Sequence, residues 1–286
     1  MNVLITGNTT KKKFSNILQG IILLFEKYHK HKIFFDQYIK NDILENKNCE
    51  DIYKTNIVFD FVISIGGDGA LLSAVRRMKS NQIPVLGIHI GNLGFLNRLT
   101  FENYINKLDN ILSSEILMYD NRTILSACFN NAQDRQTTLY GLNEIFINRS
   151  DVSRLLTVEV FVDEELLNVY RCDGLIVSTA LGSTAYSLSA GGPIVESTVN
   201  SHIITPVSPH SLSSRPIVVN DNCTITVKRH SNYDNVTVFA DGQESEKVLK
   251  NYNITIHKSS VSAKFLKIPG EKSYYEKLRS NLGWNK

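Results

Sequence analysis

The run Ile63-Ser64-Ile65-Gly66-Gly67-Asp68-Gly69-Ala70 decides how the first part of this chain is organised. It joins an apolar segment, residues 59–65, to residues 70–77, whose composition favours a helix. The pattern therefore predicts a buried strand, a tight glycine turn and a helix start in succession. Glycines let the backbone approach a ligand closely and adopt positive φ. Free N–H groups at a helix start favour an anion such as phosphate.

Asp68 is the side chain that gives this turn its charge. A carboxylate repels a bare phosphate, but it suits a site where it takes a proton from an attacking hydroxyl or meets a metal–phosphate complex. The combination indicates phosphoryl transfer. The alternative is a structural turn in which Asp68 caps the helix, and residues 66–69 alone do not decide between the two.

Length and composition are typical of a globular protein. The chain has 286 residues, of which 42% are hydrophobic and 21% charged, so one large or two ordinary domains are expected. A net charge of +3 is too small to indicate nucleic acid, and Lys11-Lys12-Lys13 is interpreted as a solvated helix end. No apolar run is long enough for a bilayer, and the first residues do not resemble a signal peptide. The four scattered cysteines indicate reduced thiols and no zinc site. We therefore expect a cytoplasmic protein with no nucleic-acid or membrane partner.

The order of patterns along the chain predicts two domains and a tail. Residues 1–118 alternate strand and helix signals, which implies an α/β domain with an open, mostly parallel sheet and ligands at the carboxyl ends of its strands. Residues 119–268 carry short β-branched runs separated by turns, typical of a mostly antiparallel β-rich domain, and residues 261–268 are the last such run. Residues 269–286 contain a helix-like segment whose aromatic residues indicate docking.

A second constellation lies at residues 173–193. An apolar strand leads into Gly182-Ser183-Thr184-Ala185-Tyr186-Ser187-Leu188-Ser189-Ala190-Gly191-Gly192-Pro193. Small residues allow a flat ligand close to the backbone, and Tyr186 can stack on a ring or give its hydroxyl to a phosphate or sugar. Taken alone, a Ser/Thr-rich loop followed by a helix explains this block better than a site does.

Four blocks taken together resemble the bacterial NAD kinase family. In order, they are Gly66-Gly67-Asp68-Gly69, Gly91-Asn92-Leu93-Gly94-Phe95-Leu96, Asn143-Glu144, and residues 173–193. Residues 209–216 and Asp241-Gly242-Gln243 also fit, so the resemblance spans the chain. The Gly-Gly-Asp-Gly turn is shared with diacylglycerol and sphingosine kinases, whereas residues 182–193 are specific to the family.

The resemblance implies an NAD kinase activity. In this reaction the γ-phosphoryl group of ATP is transferred to the 2′-hydroxyl of the adenosine ribose of NAD, which gives NADP, and a divalent metal, usually Mg²⁺, is required. The resemblance further implies an α/β first domain at residues 1–118, a β-sandwich-like second domain at 119–268, and a segment 269–286 that returns to the first domain. It also implies a homodimer or homotetramer. Whether polyphosphate replaces ATP stays open.

The resemblance also implies a set of site residues. Gly66, Gly67 and Gly69 would lie against phosphates of ATP, and Asp68 would be the base or polariser for the 2′-hydroxyl. The NAD-binding set would consist of Asp68, Gly69, Phe95, Asn143, Glu144, Arg171, Asp173, Thr184, Ala185, Tyr186, Ser189, Asp241 and Gln243. Metal ligands are not assigned, because ATP can supply most of them.

Individual roles follow within that set. Asn143 and Glu144 would contact the ribose hydroxyls, since a carboxylate accepts both O–H donors of a diol. Asp173 would hold the nicotinamide side of NAD. Asp241 would lie near the reacting phosphate and ribose. For Phe95, packing against the adenine and an ordinary core position are equally good interpretations. The family associates an Arg at the position of Arg171 with a preference for oxidised NAD.

Four residues depart from the family pattern. Ala180 and Leu181 stand where Pro and Thr are common, which removes a rigid turn residue and a hydroxyl. Ala70 stands where many members have Thr or Asn, and His89 stands where Asn is frequent. These changes bear on the phosphoryl donor and the rate more than on the reaction class.

Three rival functions remain to be weighed against an NAD kinase. A lipid kinase shares the glycine turn, but it should show a membrane-facing surface and does not explain residues 173–193. A regulator that senses NAD(H) without chemistry does not need Asp68. A Rossmann dehydrogenase is the weakest rival, because Gly87, Gly91 and Gly94 do not have the Gly-x-Gly-x-x-Gly spacing.

Overall fold

The computed structural model describes residues 1–39, 49–50, 56–91, 94–114, 116–150, 155–229, 236–249 and 253–284. The chain divides into two compact units. The first comprises Met1–Asn121 together with Ala263–Lys286, and the second comprises Arg122–Ser262. Asn92 and Leu93, which belong to the second sequence block, lie outside the described residues.

The first unit contains an eight-stranded, mostly parallel sheet. Its strands are β1 (Asn2–Gly7), β2 (Lys32–Asp36), β3 (Cys49–Glu50), β4 (Phe61–Gly66), β5 (Val85–His89), β6 (Leu99–Thr100), β7 (Tyr119–Arg122) and β20 (Ala263–Leu266). They are ordered β3-β2-β1-β4-β5-β20-β7, with β6 paired to β5. The pairs β1–β2, β1–β4, β4–β5 and β5–β20 are all parallel. The predicted open parallel sheet is therefore confirmed.

Four helices accompany this sheet in the described part of the first unit: α1 (Phe14–Glu26), α2 (Asp68–Arg77), α3 (Tyr104–Ser114) and α5 (Tyr274–Leu282). Helix α1 buries Phe14, Ile17, Leu18 and Ile21, whose spacing forms one apolar stripe. All six residues of β4 are buried, as expected for a strand covered on both faces. The buried strand therefore ends abruptly at the glycine turn, and α2 follows at once.

One strand lies in a different sheet from the one that its position predicts. The pattern of residues 261–268 predicts a strand of the second domain, but β20 pairs parallel to β5, with Phe265 opposite Val85. Ala263, Phe265 and Leu266 are all buried. A short run of this kind shows that a strand forms, but it carries no information about which distant strand becomes its neighbour.

Helix α5 is fixed by its first turn and by one aliphatic residue. The Ser273 hydroxyl accepts a hydrogen bond from Glu276 N at 3.2 Å, and the Glu276 carboxylate accepts one from Ser273 N at 2.7 Å. This reciprocal capping box defines where the helix begins. Leu278 is buried, whereas Tyr275 and Trp284 are 61% and 59% exposed. Tyr274, in the first turn of the helix, is partly buried, so docking by the aromatic residues stays a prediction.

The second unit is an antiparallel β-sandwich, as the resemblance implies. One sheet has the order β15-β14-β13-β10-β17-β18 and the other β12-β11-β16-β19-β8-β9. The strands are β8 (Leu125–Asn130), β9 (Gln136–Gly141), β10 (Glu144–Arg149), β11 (Leu156–Val162), β12 (Glu165–Cys172), β13 (Gly174–Thr179), β14 (Ser201–Val207), β15 (Ile217–Asn220), β16 (Ile225–Arg229), β17 (Val236–Ala240), β18 (Glu244–Lys247) and β19 (Ile254–Lys258). Inward residues of both sheets, such as Ile145, Val177, Val158 and Ile256, share one core.

The core forms because side chains along each strand point alternately into the sandwich and away from it. In β11, Leu156, Val158 and Val160 are buried, while the residues between them are partly exposed. After β13, the chain forms a 3₁₀ turn at Leu181–Thr184 and a short helix α4 at Tyr186–Ser189. The specific block of the sequence therefore lies at the end of a buried strand. Across the described part of the chain, no helix has the length and apolarity needed to cross a membrane.

Candidate functional site

The glycine turn places Asp68 at the carboxyl end of β4, as the first residue of α2. Its carboxylate accepts hydrogen bonds from Phe95 N at 2.8 Å and from Leu96 N and Asn97 N at 3.3 Å. The side-chain amide of Asn97 donates a further bond at 2.7 Å. We call residues 95–97 the Asp68 loop. Gly67 is the N-cap position and no side chain caps the helix, so the capping interpretation of Asp68 is wrong.

Gly94 is needed for this contact. A Cβ atom at Gly94 would lie 2.1 Å from Asp68 Oδ2, so any other residue would displace the carboxylate. Of the glycines in the turn, Gly66 has a φ of +156°, whereas Gly67 has an extended conformation with φ −88°. A Cβ at Gly67 would meet nothing within 4 Å. The turn therefore has open space beside Gly67, and Gly69 is exposed in the first turn of α2.

Phe95 is partly buried, and its backbone is fixed by the bond to Asp68. Asn97 is fully buried, and sequence reasoning missed it. Asn97 directly follows Leu96, the last residue of the second sequence block. Extending that block by one residue would have included it among the candidate site residues.

In the second unit, Asp241 holds a loop in the same way. Its carboxylate accepts hydrogen bonds from Leu142 N at 2.9 Å, Asn143 N at 2.8 Å and Glu144 N at 3.1 Å. We call residues 142–144 the Asp241 loop. Asp241 lies in the turn between β17 and β18 with a φ of +51° and is 8% exposed. Gln243 is exposed in the same turn, and its N–H donates to Ala240 O.

Thr179, at the end of β13, supports the Asp241 loop from the other side. Its hydroxyl donates to Leu142 O at 2.8 Å, and its N–H donates to Asn143 O at 2.9 Å. The same hydroxyl accepts a bond from Gly182 N at 3.0 Å. A Cβ at Gly182 would lie 2.1 Å from Asn143 O, so the glycine allows a close approach. The structure therefore brings Asn143, Glu144 and Asp241 to the end of β13, beside Thr179 and Gly182. Asp173 precedes the opposite end of β13 and does not join this cluster.

Glu144 is the most perturbed carboxyl group of this cluster. It is 7% exposed, and its Oε2 atom has no hydrogen-bond partner among the described residues. Burial is the main cause that raises the pKa of Glu144 to about 8, the negative charge of Asp241 adds to the rise, and a hydrogen bond from the Tyr186 backbone opposes it. A buried acceptor without a donor suits a ligand hydroxyl.

Tyr186 presents part of its ring to solvent. The side chain is 41% exposed and packs edge-to-face on Phe146, with ring centroids 5.1 Å apart. This contact fixes the ring orientation while leaving much of its surface for a ligand. Thr184 and Ala185 are partly buried and Ser189 is exposed, next to Tyr186 along the chain.

Asp173 and Arg171 lie around the end of β12. Asp173 forms a salt bridge with Arg149, with Oδ1 and an Arg149 guanidinium nitrogen 2.9 Å apart. Arg171 is exposed, and its carbonyl accepts a bond from His210 N at 2.8 Å. Sequence reasoning missed Arg149, because the antiparallel pairing of β10 with β13 brings it beside Asp173 and no local pattern encodes that pairing.

The chain combines an α/β unit, in which Asp68 follows a glycine turn, with an antiparallel β-sandwich unit, and family profiles assign this combination to a class of nucleotide phosphotransferases. The family profile for the ATP-NAD kinase N-terminal domain matches residues 25–116, and the profile for the C-terminal domain matches residues 142–268. The chain belongs to the ATP-NAD kinase family, as the sequence motifs predict.

Relatives and solved structures agree with this assignment. An NAD kinase of Bacteroides fragilis is 34% identical over 99% of this chain and 98% of its own. An NAD kinase of Desulfatibacillum aliphaticivorans is 39% identical over 78% of each. The crystal structure of yeast NADH kinase complexed with NADH has a TM-score of 0.86 at 25% identity, and covers 100% of this chain and 88% of its own. An NAD kinase from Archaeoglobus fulgidus in complex with ATP has a TM-score of 0.74 at 27% identity, and covers 99% of this chain and 98% of its own.

Proposed function

We propose that this protein transfers the γ-phosphoryl group of ATP to the 2′-hydroxyl of the adenosine ribose of NAD, forming NADP and ADP. The observation that carries the proposal is the Asp68 carboxylate, which is fixed beside an open glycine turn in a chain of this family. Phosphoryl transfer asks a protein mainly for positioning and charge stabilisation, and a carboxylate held in one orientation provides the first.

Asp68 acts as the base in this proposal. Two short bonds, from Phe95 N and the Asn97 amide, orient its carboxylate, while the bonds at 3.3 Å are weak and leave acceptor capacity. The carboxylate takes the proton of the 2′-hydroxyl as the ribose oxygen forms its bond to the γ-phosphorus. The bond from that phosphorus to the β–γ bridging oxygen breaks, and ADP leaves.

The second unit supplies recognition of NAD. Asn143 and Glu144 hold the ribose hydroxyls, and the unpartnered Oε2 of Glu144 supports that role. Asp241 contributes by fixing the loop that carries both residues. The remaining residues of the proposed NAD set are Gly69, Phe95, Arg171, Asp173, Thr184, Ala185, Tyr186, Ser189 and Gln243.

The divalent ion enters as part of the nucleotide substrate. In the ranges that the structure describes, no group of three or more His, Cys, Asp or Glu side chains could hold a metal ion. Because ATP can supply most of the metal ligands, we assign no reaction step to a resident metal. The substrate is Mg–ATP, whose phosphates lie against Gly66, Gly67 and Gly69.

The test is NADP formation from NAD, ATP and Mg²⁺, read with an NADP-specific coupled dehydrogenase. We expect steady NADP production, with NADH and polyphosphate run in parallel to define acceptor and donor. NAD binding measured by calorimetry without any NADP production would contradict the kinase and favour a regulator that senses NAD(H).

Two further properties stay predictions, the first made from the sequence composition and the second from the resemblance. They are a cytoplasmic location and a homodimer or homotetramer. Sedimentation velocity of the purified protein with and without NAD measures the oligomeric state, and a monomer at all concentrations would contradict it.

A further inference from the structure

His89 ends β5 at the carboxyl edge of the parallel sheet, beside the glycine turn. It lies opposite Gly66 in the β4–β5 register, and Ile90 N donates to Gly66 O at 3.1 Å. The side chain is 7% exposed, yet neither ring nitrogen has a hydrogen-bond partner among the described residues. Buried polar groups are nearly always paired, so this imidazole needs an explanation.

The ring points towards the place where the chain leaves β5. Its Nε2 atom would lie 3.8 Å from a Cβ at Gly91, which is exposed and has a φ of +107°. Two charged residues lie at the same edge of the sheet. Asp68 begins α2, and Lys11 N donates to Asn8 O at 3.3 Å, while Asn8 N donates to Ile65 O at the end of β4. Burial is the main cause that lowers the pKa of His89; Asp68 opposes this, and Lys11 adds to it.

The surroundings of the His89 ring favour an anionic ligand. The carboxylate of Asp68 accepts its two short hydrogen bonds from the Asp68 loop and none from the His89 ring. Lys11-Lys12-Lys13 precedes α1, whose first turn contains no acidic residue. The backbone beside Gly67 is open, and helix starts such as those of α1 and α2 favour anions. An unpartnered imidazole, lysines and helix starts together fit an anionic ligand.

We propose that His89 is a phosphate-binding residue, whose ring N–H donates to a non-bridging oxygen of a nucleotide's phosphate chain held at the glycine turn. Lys11 supplies a second, cationic contact to the same phosphates. The identity of the nucleotide rests on the proposed function, whereas the phosphate chemistry rests on the unpartnered ring and its surroundings. ATP and NAD both carry such phosphates, so binding is measured for each.

Binding without turnover tests the proposal. Calorimetry gives dissociation constants for Mg–ATP, inorganic tripolyphosphate and NAD with wild type, His89→Leu, His89→Asn and His89→Gln. We expect His89→Leu to weaken tripolyphosphate binding about tenfold, which is the scale of one lost charge-assisted hydrogen bond. An Asn or Gln amide places an N–H near Nδ1 or Nε2, so one of the two should restore part of the affinity and identify the donating nitrogen.

The lysine run provides a matched control. Lys11→Ala should weaken tripolyphosphate binding several-fold, because it removes a cation that acts on the same imidazole. Lys12→Ala removes an adjacent cation with the same net charge change and should have little effect. Equal losses for the two variants would mean that only general charge attraction operates and would remove Lys11 from the proposal.

NMR of the His89 ring protons distinguishes phosphate binding by His89 from a purely structural role. The ring protons of His89, assigned by comparison with His89→Asn, can be titrated by NMR with and without tripolyphosphate. A bound phosphate stabilises the imidazolium, so the pKa of His89 should rise and tripolyphosphate should bind more tightly as the pH falls. Asp68 and Lys11 are present in both titrations, and His89→Leu corrects for protonation of the ligand itself.

The binding results show which ligand His89 contacts, or that it contacts none. Weaker ATP and tripolyphosphate binding with NAD binding unchanged assigns His89 to the phosphoryl donor, and the reverse assigns it to the NAD diphosphate. Unchanged binding of all three ligands in a folded His89→Leu protein overturns the proposal. If His89→Leu does not fold, an unchanged pKa of His89 with tripolyphosphate overturns it instead. A wild type that binds tripolyphosphate but makes no NADP contradicts the proposed function alone.

Discussion

Asp68 and Asp241 each accept hydrogen bonds from three consecutive backbone N–H groups, but they sit in different surroundings. Asp68 is the first residue of a helix, is partly exposed and lies beside an open glycine. Asp241 is 8% exposed in a hairpin turn and makes its bonds from a left-handed conformation. The same bonding pattern therefore holds a loop in both units, but Asp68 is the more accessible of the two for direct chemistry.

Asp68 and Asp241 also differ in the titratable group that lies next to each of them. The charge of Asp68 acts on His89, and burial keeps the pKa of that imidazole below its usual value. The charge of Asp241 acts on Glu144, together with burial, and both raise the pKa of that carboxyl. Asp241 consequently influences a ligand through Glu144, whereas Asp68 is proposed to meet the reacting hydroxyl itself. The variants below test this division.

The largest effect is expected for Asp68→Asn. Loss of the base should reduce NADP formation by about 10²–10⁴-fold, while NAD binding persists. The new amide also turns N–H groups towards the donors of the Asp68 loop, which adds a loss caused by displacement of that loop. Turnover and NAD affinity are therefore measured separately, by coupled assay and calorimetry.

Asn97→Leu is the control for the displaced loop. It removes the 2.7 Å bond to Asp68 and keeps both the carboxylate and a side chain of similar size. We expect turnover to fall no more than about tenfold, because the carboxylate and its bond from Phe95 N remain. A loss as large as that of Asp68→Asn would show that Asp68 serves the loop and would remove the general base from the mechanism.

A smaller, pH-dependent effect is expected at Glu144. In its ionised form Glu144 accepts both ribose hydroxyls, so NAD affinity in the wild type should rise as the pH passes through the raised pKa of about 8. Asp241→Asn removes a charge that raises this pKa, and the rise in affinity should therefore begin at lower pH. Glu144→Gln should abolish the pH dependence. Calorimetry from pH 6 to pH 9 provides the measurement.

The raised pKa of Glu144 also predicts the direction in which the stability of the folded protein changes with pH. The pKa of Glu144 in the folded protein lies above its usual value of 4.5, so the folded state binds the extra proton between the two values. Stability should fall as the pH rises through this window, and Glu144→Gln should flatten that part of the curve. An unchanged slope in urea unfolding of Glu144→Gln would contradict the assigned protonation.

Local patterns predict the elements but not the partners of these carboxylates. The apolar stripe of α1 and the buried run before Gly66 are periodic over short distances, so the sequence predicts them. Asp68 instead finds its donors 27 to 29 residues away, and Asp241 finds its donors 97 to 99 residues away. Such contacts depend on strand order, which no local period encodes. Gly94 allows the close approach of the Asp68 carboxylate, and Gly182 allows the close approach of Asn143 O. The sequence shows both glycines, but only the folded chain shows which atoms lie against them.

The smallest effect is expected for Thr179→Val. The change keeps a β-branched strand residue and removes the hydroxyl that bonds Leu142 O and Gly182 N. Because the site is buried, the free energy of unfolding should drop by about 1–2 kcal/mol, and the KM for NAD should rise a few-fold as the Asp241 loop loosens. Thr226→Val, in β16, is the control, since its hydroxyl makes no hydrogen bond within the described part of the chain. If Thr179→Val loses stability but keeps its KM for NAD, the position of the Asp241 loop does not limit NAD binding, and the comparison with the Asp68 loop would rest on Asp68 alone.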